Sequence, residues 1–190
     1  GTETTGGLSL ESGIIITTPN DLLTLSAAVP GDIEGVDPGA YSDEVNASYI
    51  AGPLKREFPL AGNEPFTFPL GEGTVFANAD PSPNVYRPVI LSPGIASGQA
   101  PIASILDPPS GPAVSPLTAV VGARAYRIDL DSGVDFPPSA AVTFCFKNDL
   151  YGGGDNIPGQ LENIRLAQAP TPNGPWTVVS GQTGTGSILP

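Results

Sequence analysis

The stretch Gly7–Leu25, GLSLESGIIITTPNDLLTL, decides how the chain is read. Leu8 and Leu10 flank Ser9, Ile14, Ile15 and Ile16 form a β-branched run, and Leu23 and Leu25 flank Thr24. Residues of this kind fit a pleated, half-buried strand. The breaks at Ser12-Gly13 and Pro19-Asn20-Asp21 carry turn chemistry. The stretch therefore reads as short strands, spaced like one winding of a β-solenoid or like a strand pair at the edge of a sandwich. Residues 1–7, GTETTGG, are small and polar and read as a flexible arm.

The same habit extends through the remaining chain. Gly and Pro number 24 and 23 among 190 residues, a share close to that of low-complexity chains. The apolar residues nevertheless fall in short blocks between turn signals, which argues for many short strands. In AYRIDL, Tyr126, Ile128 and Leu130 alternate with Arg127 and Asp129. In AVTFCFKND, Val142, Phe144 and Phe146 alternate with Thr143, Cys145 and Lys147. One face buried and one solvated is the habit of antiparallel sandwiches. The fold expected is all-β: an antiparallel β-sandwich of jelly-roll or Ig-like type over residues 8–190. Its N-terminal strand segment is free to pair with a neighbouring subunit, and a Pro-rich connection spans 92–118.

Composition narrows the function. There are seven basic residues, 19 acidic residues and no histidine, for a net charge of −12. Nucleic-acid binding needs a cationic footprint that this chain lacks. No apolar run approaches the length of a membrane span. Without histidine the usual general base and the Ser-His and Cys-His pairs are missing. Cys145 is the single cysteine and reads as a buried, inert thiol. The absence of methionine fits a processed chain whose export signal has been removed, and hence an extracellular or cell-surface location.

A resemblance emerges from an ordered set of motifs: SYIAGPLKREFP, FTFPLGEG, YRPVIL, ARAYRIDL, ENIRLA and PWTVV. This order resembles a β-sandwich module of large secreted and cell-surface proteins of Bacteroidetes and related bacteria. That module runs Ser-Tyr-Val-x-Gly-Pro-Leu-x-Arg, Thr-Phe-Pro-Val-Gly, Tyr-Arg-Pro, Arg-Tyr-Trp-Arg-Ile. The match covers residues 8 to 181, with Tyr126 standing where the module has Trp. The resemblance implies export and a surface or matrix role, and brings no catalytic residues. On this reading Lys55 and Arg56 lie on an exposed strand face, Phe66 and Phe68 fill the core, and Arg87 and Arg127 sit on strands.

Few residues point to chemistry. Asp129, Asp131 and Asp135, near Asp149 and Asp155, gather carboxylate oxygens that suit Ca²⁺, although their spacing is not that of an EF-hand loop and turn formation explains them equally well. No other cofactor is expected. Asn46, in Glu44-Val45-Asn46-Ala47-Ser48, fits a glycosylation acceptor. NDLYGGGDNIPG has three glycines but no Lys or helix behind them, so it reads as a hairpin rather than a phosphate loop.

The function expected is non-enzymatic: a self-assembling subunit of an extracellular filament or matrix. Its partners would be copies of itself, joined by strand exchange through Leu8, Leu10, Ile14, Ile15 and Ile16. The competing reading is an adhesin or carbohydrate-binding sandwich that meets cell-surface glycans through Tyr41 and Tyr151.

Overall fold

The computed structural model describes residues 2–4, 7–10, 13–26, 33–34, 48–57, 65–73, 85–92, 100–106, 109–117, 119–120, 125–133, 140–144 and 165–179. The described residues form strands and turns with no helix. They fall into two compact units, Gly1–Ile105 with Tyr126–Cys145, and Leu106–Ala125 with Phe146–Pro190.

The first unit begins by winding. The strands β1 (Thr2–Thr4), β2 (Leu8–Ser9) and β3 (Ile14–Ile16) make a first turn of chain. A second turn repeats them as β4 (Leu23–Leu25), β5 (Ile33–Glu34) and β6 (Tyr49–Ala51), and β7 (Leu54–Arg56) opens a third. Each strand stacks parallel and in register on its counterpart. Thr2, Leu23 and Leu54 form one column, and Glu3, Thr24 and Lys55 the next. Leu8 pairs with Ile33, and Ile14, Ile15 and Ile16 pair with Tyr49, Ile50 and Ala51. A parallel bridge from Ile50 to Leu70 carries the last of these ladders into the third turn. Parallel ladders on successive faces, each turn stacked on the one before, make a short β-solenoid. Thr2–Thr4, expected within a flexible arm, thus serve as the first strand of the first rung.

Beyond β7 the chain folds back. Three strands β8 (Phe66–Phe68), β11 (Val89–Ser92) and β14 (Ala141–Phe144) form an antiparallel sheet with β11 in the centre. The short pair β9 (Gly71–Glu72) and β10 (Val85–Tyr86) is antiparallel too. β12 (Pro101–Leu106) lies antiparallel against β7, and β13 (Ala125–Leu130) lies beside β12. β12 falls inside the stretch expected as a Pro-rich connection. Its only proline is its first residue, where the missing N–H does least harm to a ladder. The core of the unit unites both halves: Leu23, Leu25, Ile50 and Leu54 from the rungs, with Phe66, Phe68, Leu70, Val89, Leu91 and Ala103.

The second unit contains the antiparallel pair β15 (Ala167–Gln168) and β16 (Thr177–Val178). Trp176 bridges in parallel to Ala113, and its indole Nε1–H donates to the Ser110 carbonyl at 2.7 Å. Ser110 Oγ in turn lies 2.7 Å from Asn173 Oδ1.

One glycine holds the rungs together at close range. Gly52 has a φ of +127°, and a Cβ there would lie 2.2 Å from the Thr17 carbonyl oxygen. Thr17 also donates through its N–H to Ala51 O at 3.0 Å and through Oγ1 to Pro53 O at 2.8 Å. Only a residue without a side chain permits this backbone approach. Gly52→Ala should therefore cost about 3 kcal/mol in urea unfolding, whereas Gly133→Ala, with φ +68° and open space around it, should cost about 1 kcal/mol.

Candidate functional site

The residues expected to join subunits lie together at one end of the solenoid. Leu8 and Ile15 pack against the core yet remain half-buried, and Leu10 is buried. Ile16 is 58% exposed, the largest exposure of any large apolar residue described. One rung inward, Ile50 and Leu25 are completely covered. The first rung is bonded along its inner edge to the second. Among the described residues no strand lies on the outer edge of β1 or β3.

The far end of the solenoid is closed. β12 occupies the free edge of β7, and the Arg87 N–H donates to the Leu70 carbonyl at 2.8 Å. Among the described residues the two ends of the stack thus differ: no strand lies beyond β1 and β3, whereas β12 lies beyond β7.

The charged residues of β7 separate across the strand. Lys55 faces outward and pairs with Asp131. Arg56 was expected on the same exposed face, and the structure corrects that: it is fully buried. Leu54 and Arg56 share the inner face because side chains two apart on a strand point the same way. The guanidinium lies 4.9 Å from the Phe66 ring centroid and 6.0 Å from that of Phe68, and Nη1 donates to the Thr67 carbonyl at 2.6 Å. Arginine is the cation suited to such a place, since it is weakly hydrated and stacks on aromatic faces. Arg87 is buried as well, with Nη1 2.7 Å from Tyr86 O. The FTF motif that was read as core thus also forms the bed of a buried cation.

Tyr49 locks β6 to the end of β9. Its hydroxyl donates to the Glu72 carbonyl at 2.6 Å, and burial, aided by the Glu72 carboxylate, pushes its pKa from 10.0 up to about 12.

Two of the candidate calcium residues, Asp129 and Asp131, lie among the described residues. Asp131 meets Lys55 and Asp129 meets Arg127, both on exposed surface. No group of three or more potential metal-ligating residues occurs among the described residues. Asp135, Asn46, Cys145, Tyr41 and Tyr151 lie outside the described residues. Comparison with family models, curated proteins and solved structures returns no match.

Two measurements check this description. Arg56→Met should lose about 2 kcal/mol, and Arg56→Lys about 3 kcal/mol, because a buried ammonium gives up more hydration than it recovers here. An exposed position would tolerate lysine without loss. For Tyr49, the neutral phenol is favoured in the folded state. The stability it confers is complete below pH 10 and is lost as pH rises from 10.0 to about 12. Tyr49→Phe should flatten that part of the stability profile.

Proposed function

We propose that this protein is a non-enzymatic structural subunit of an exported, cell-surface assembly, and that copies join by exchanging the first rung. The same reading takes the antiparallel sheets of the first unit as layers of a β-sandwich. The observation that carries it is the ladder Ile14–Ile16 on Tyr49–Ala51, which ties an otherwise half-exposed rung to the body of the unit. A neighbour's first rung could remake the same parallel contacts in trans without any new chemistry, which is the low-cost route of domain swapping. The sequence adds its support: the rung is uncharged over Gly13–Thr18, and the chain has no histidine to serve catalysis.

The test is a cross-link across the paired positions Ile15 and Ile50. Neighbouring strands bring Cα atoms within disulfide range. An Ile15→Cys/Ile50→Cys variant, made with Cys145→Ser, should run as a covalent ladder when oxidised after assembly, and electron micrographs should show fibres with a one-subunit repeat. Cross-links confined to single chains, with discrete particles at high concentration, would defeat the proposal and redirect attention to glycan binding.

A further inference from the structure

In the second unit a clasp ties residues 109–117 to residues 171–176, and it contains a chemically labile pair. We propose that Asn173 is a site of spontaneous modification, converting to aspartate and isoaspartate through a cyclic imide with Gly174, and that the clasp holds this conversion in check.

The sequence supplies the reactive pair. Asparagine is among the thermolabile residues, and Asn173 is the only asparagine of the chain followed by glycine. A side chain on the following residue hinders attack by its main-chain nitrogen on the carboxamide, and glycine has none. The fold asks for this glycine for another reason. Gly174 has a φ of +77°, and a Cβ there would lie 3.0 Å from Trp176 Cδ1. In the reaction Gly174 N bonds to Asn173 Cγ, and the carboxamide nitrogen leaves as ammonia, taking up the proton that Gly174 gives up. Water then opens the ring. Breaking the bond from Gly174 N to Cγ yields aspartate. Breaking the bond from Gly174 N to the Asn173 main-chain carbonyl yields isoaspartate, whose main chain runs through Cβ and is longer by a methylene.

The clasp opposes what must precede attack. The Gly174 N–H donates to the Thr171 carbonyl at 3.1 Å, so the nitrogen keeps its proton. Thr171 Oγ1 donates to the Gly174 carbonyl at 3.1 Å and closes the same turn. Ser110 Oγ donates to Asn173 Oδ1 at 2.7 Å and holds the carboxamide in place. Gly111 presses on the same peptide: a Cβ added there would lie 1.8 Å from the Asn173 carbonyl oxygen and 3.4 Å from Gly174 N. Main-chain bonds fix both sides, from Ser110 N–H to Pro172 O at 3.2 Å and from Trp176 N–H to Pro112 O at 2.9 Å. Held in this way, the peptide cannot turn its nitrogen onto Cγ until the clasp opens.

The two products differ in whether the clasp closes again. Aspartate leaves the main chain as it was, and its carboxylate still accepts from Ser110 Oγ. Isoaspartate lengthens the main chain at the peptide where Gly111 leaves no room, and between two bonds that fix its span. Opening of the clasp is thereby recorded in the chain.

The experiment incubates the full chain in mildly alkaline buffer, native and in denaturant, and follows the tryptic peptide 166–190, whose only asparagine is Asn173, by mass spectrometry. The native chain should convert at least about tenfold more slowly than the denatured one, because reaction waits on local opening. Ser110→Ala should speed native conversion about fivefold, the weight of one net hydrogen bond, while Ser110→Thr, which keeps the hydroxyl, should not. Hydrogen exchange at the Val179 amide, which donates to the Leu166 carbonyl outside the clasp, should be unchanged in Ser110→Ala. In the purified isoaspartate form the Val114 and Trp176 amides should exchange at least about fivefold faster, and in Asn173→Asp they should not. Equal conversion in the native and denatured chains would overturn the proposal. So would a Ser110→Ala variant that converts at the native rate, or that speeds up only with loss of protection at Val179, and so would an isoaspartate form as well protected as the unmodified chain.

Discussion

Three residues, Leu54, Lys55 and Arg56, hold the first unit to its plan, because this strand is bonded in parallel on one edge and in antiparallel on the other. On the β4 side it continues the winding of the N-terminal rungs. On the β12 side it begins the folded-back sheets. Its inner face places Leu54 and Arg56 in the common core, and its outer face ties Lys55 to Asp131 at the end of β13. Parallel strands joined by winding and antiparallel strands joined by folding back need different connections. A single strand that serves both ladders is what lets one core fill both.

Arg56 makes that junction specific. A buried guanidinium is costly unless its donors are met and its faces are covered. Phe66 and Phe68 supply the faces and the carbonyl between them, on Thr67, supplies an acceptor. An aliphatic residue could fill the volume, but it would not fix β8 at this distance from β7. The cation thus sets how the rungs meet the antiparallel sheet, which in turn closes one end of the solenoid.

Much of this was legible in the sequence, and the part that was not has a common cause. The alternation in LTL, FTF, AYRIDL and AVTF correctly marks strands and their inner faces. Alternation has the same period in parallel and antiparallel strands, so the direction of the N-terminal ladders stayed open between a solenoid winding and a sandwich edge. The resemblance also placed Lys55 and Arg56 outward together, although neighbours on a strand must face opposite ways. That rule, applied to Leu54-Lys55-Arg56, was the available signal for the buried cation. β12 escaped notice because prolines flank it on both sides. Ile14–Ile16, by contrast, were marked as a strand from their β-branched run, and they pair with Tyr49–Ala51.

The central claim is that the chain winds before it folds back, and backbone nuclear Overhauser effects across β7 test it most directly. The account predicts the parallel pattern between Leu23–Leu25 and Leu54–Arg56, without close Hα–Hα contacts. It predicts antiparallel contacts between Leu54–Lys55 and Ile102–Ala103 in the same molecule. Close Hα–Hα contacts between β4 and β7 would contradict it, since they belong to an antiparallel pair, and an antiparallel pair there has no rungs.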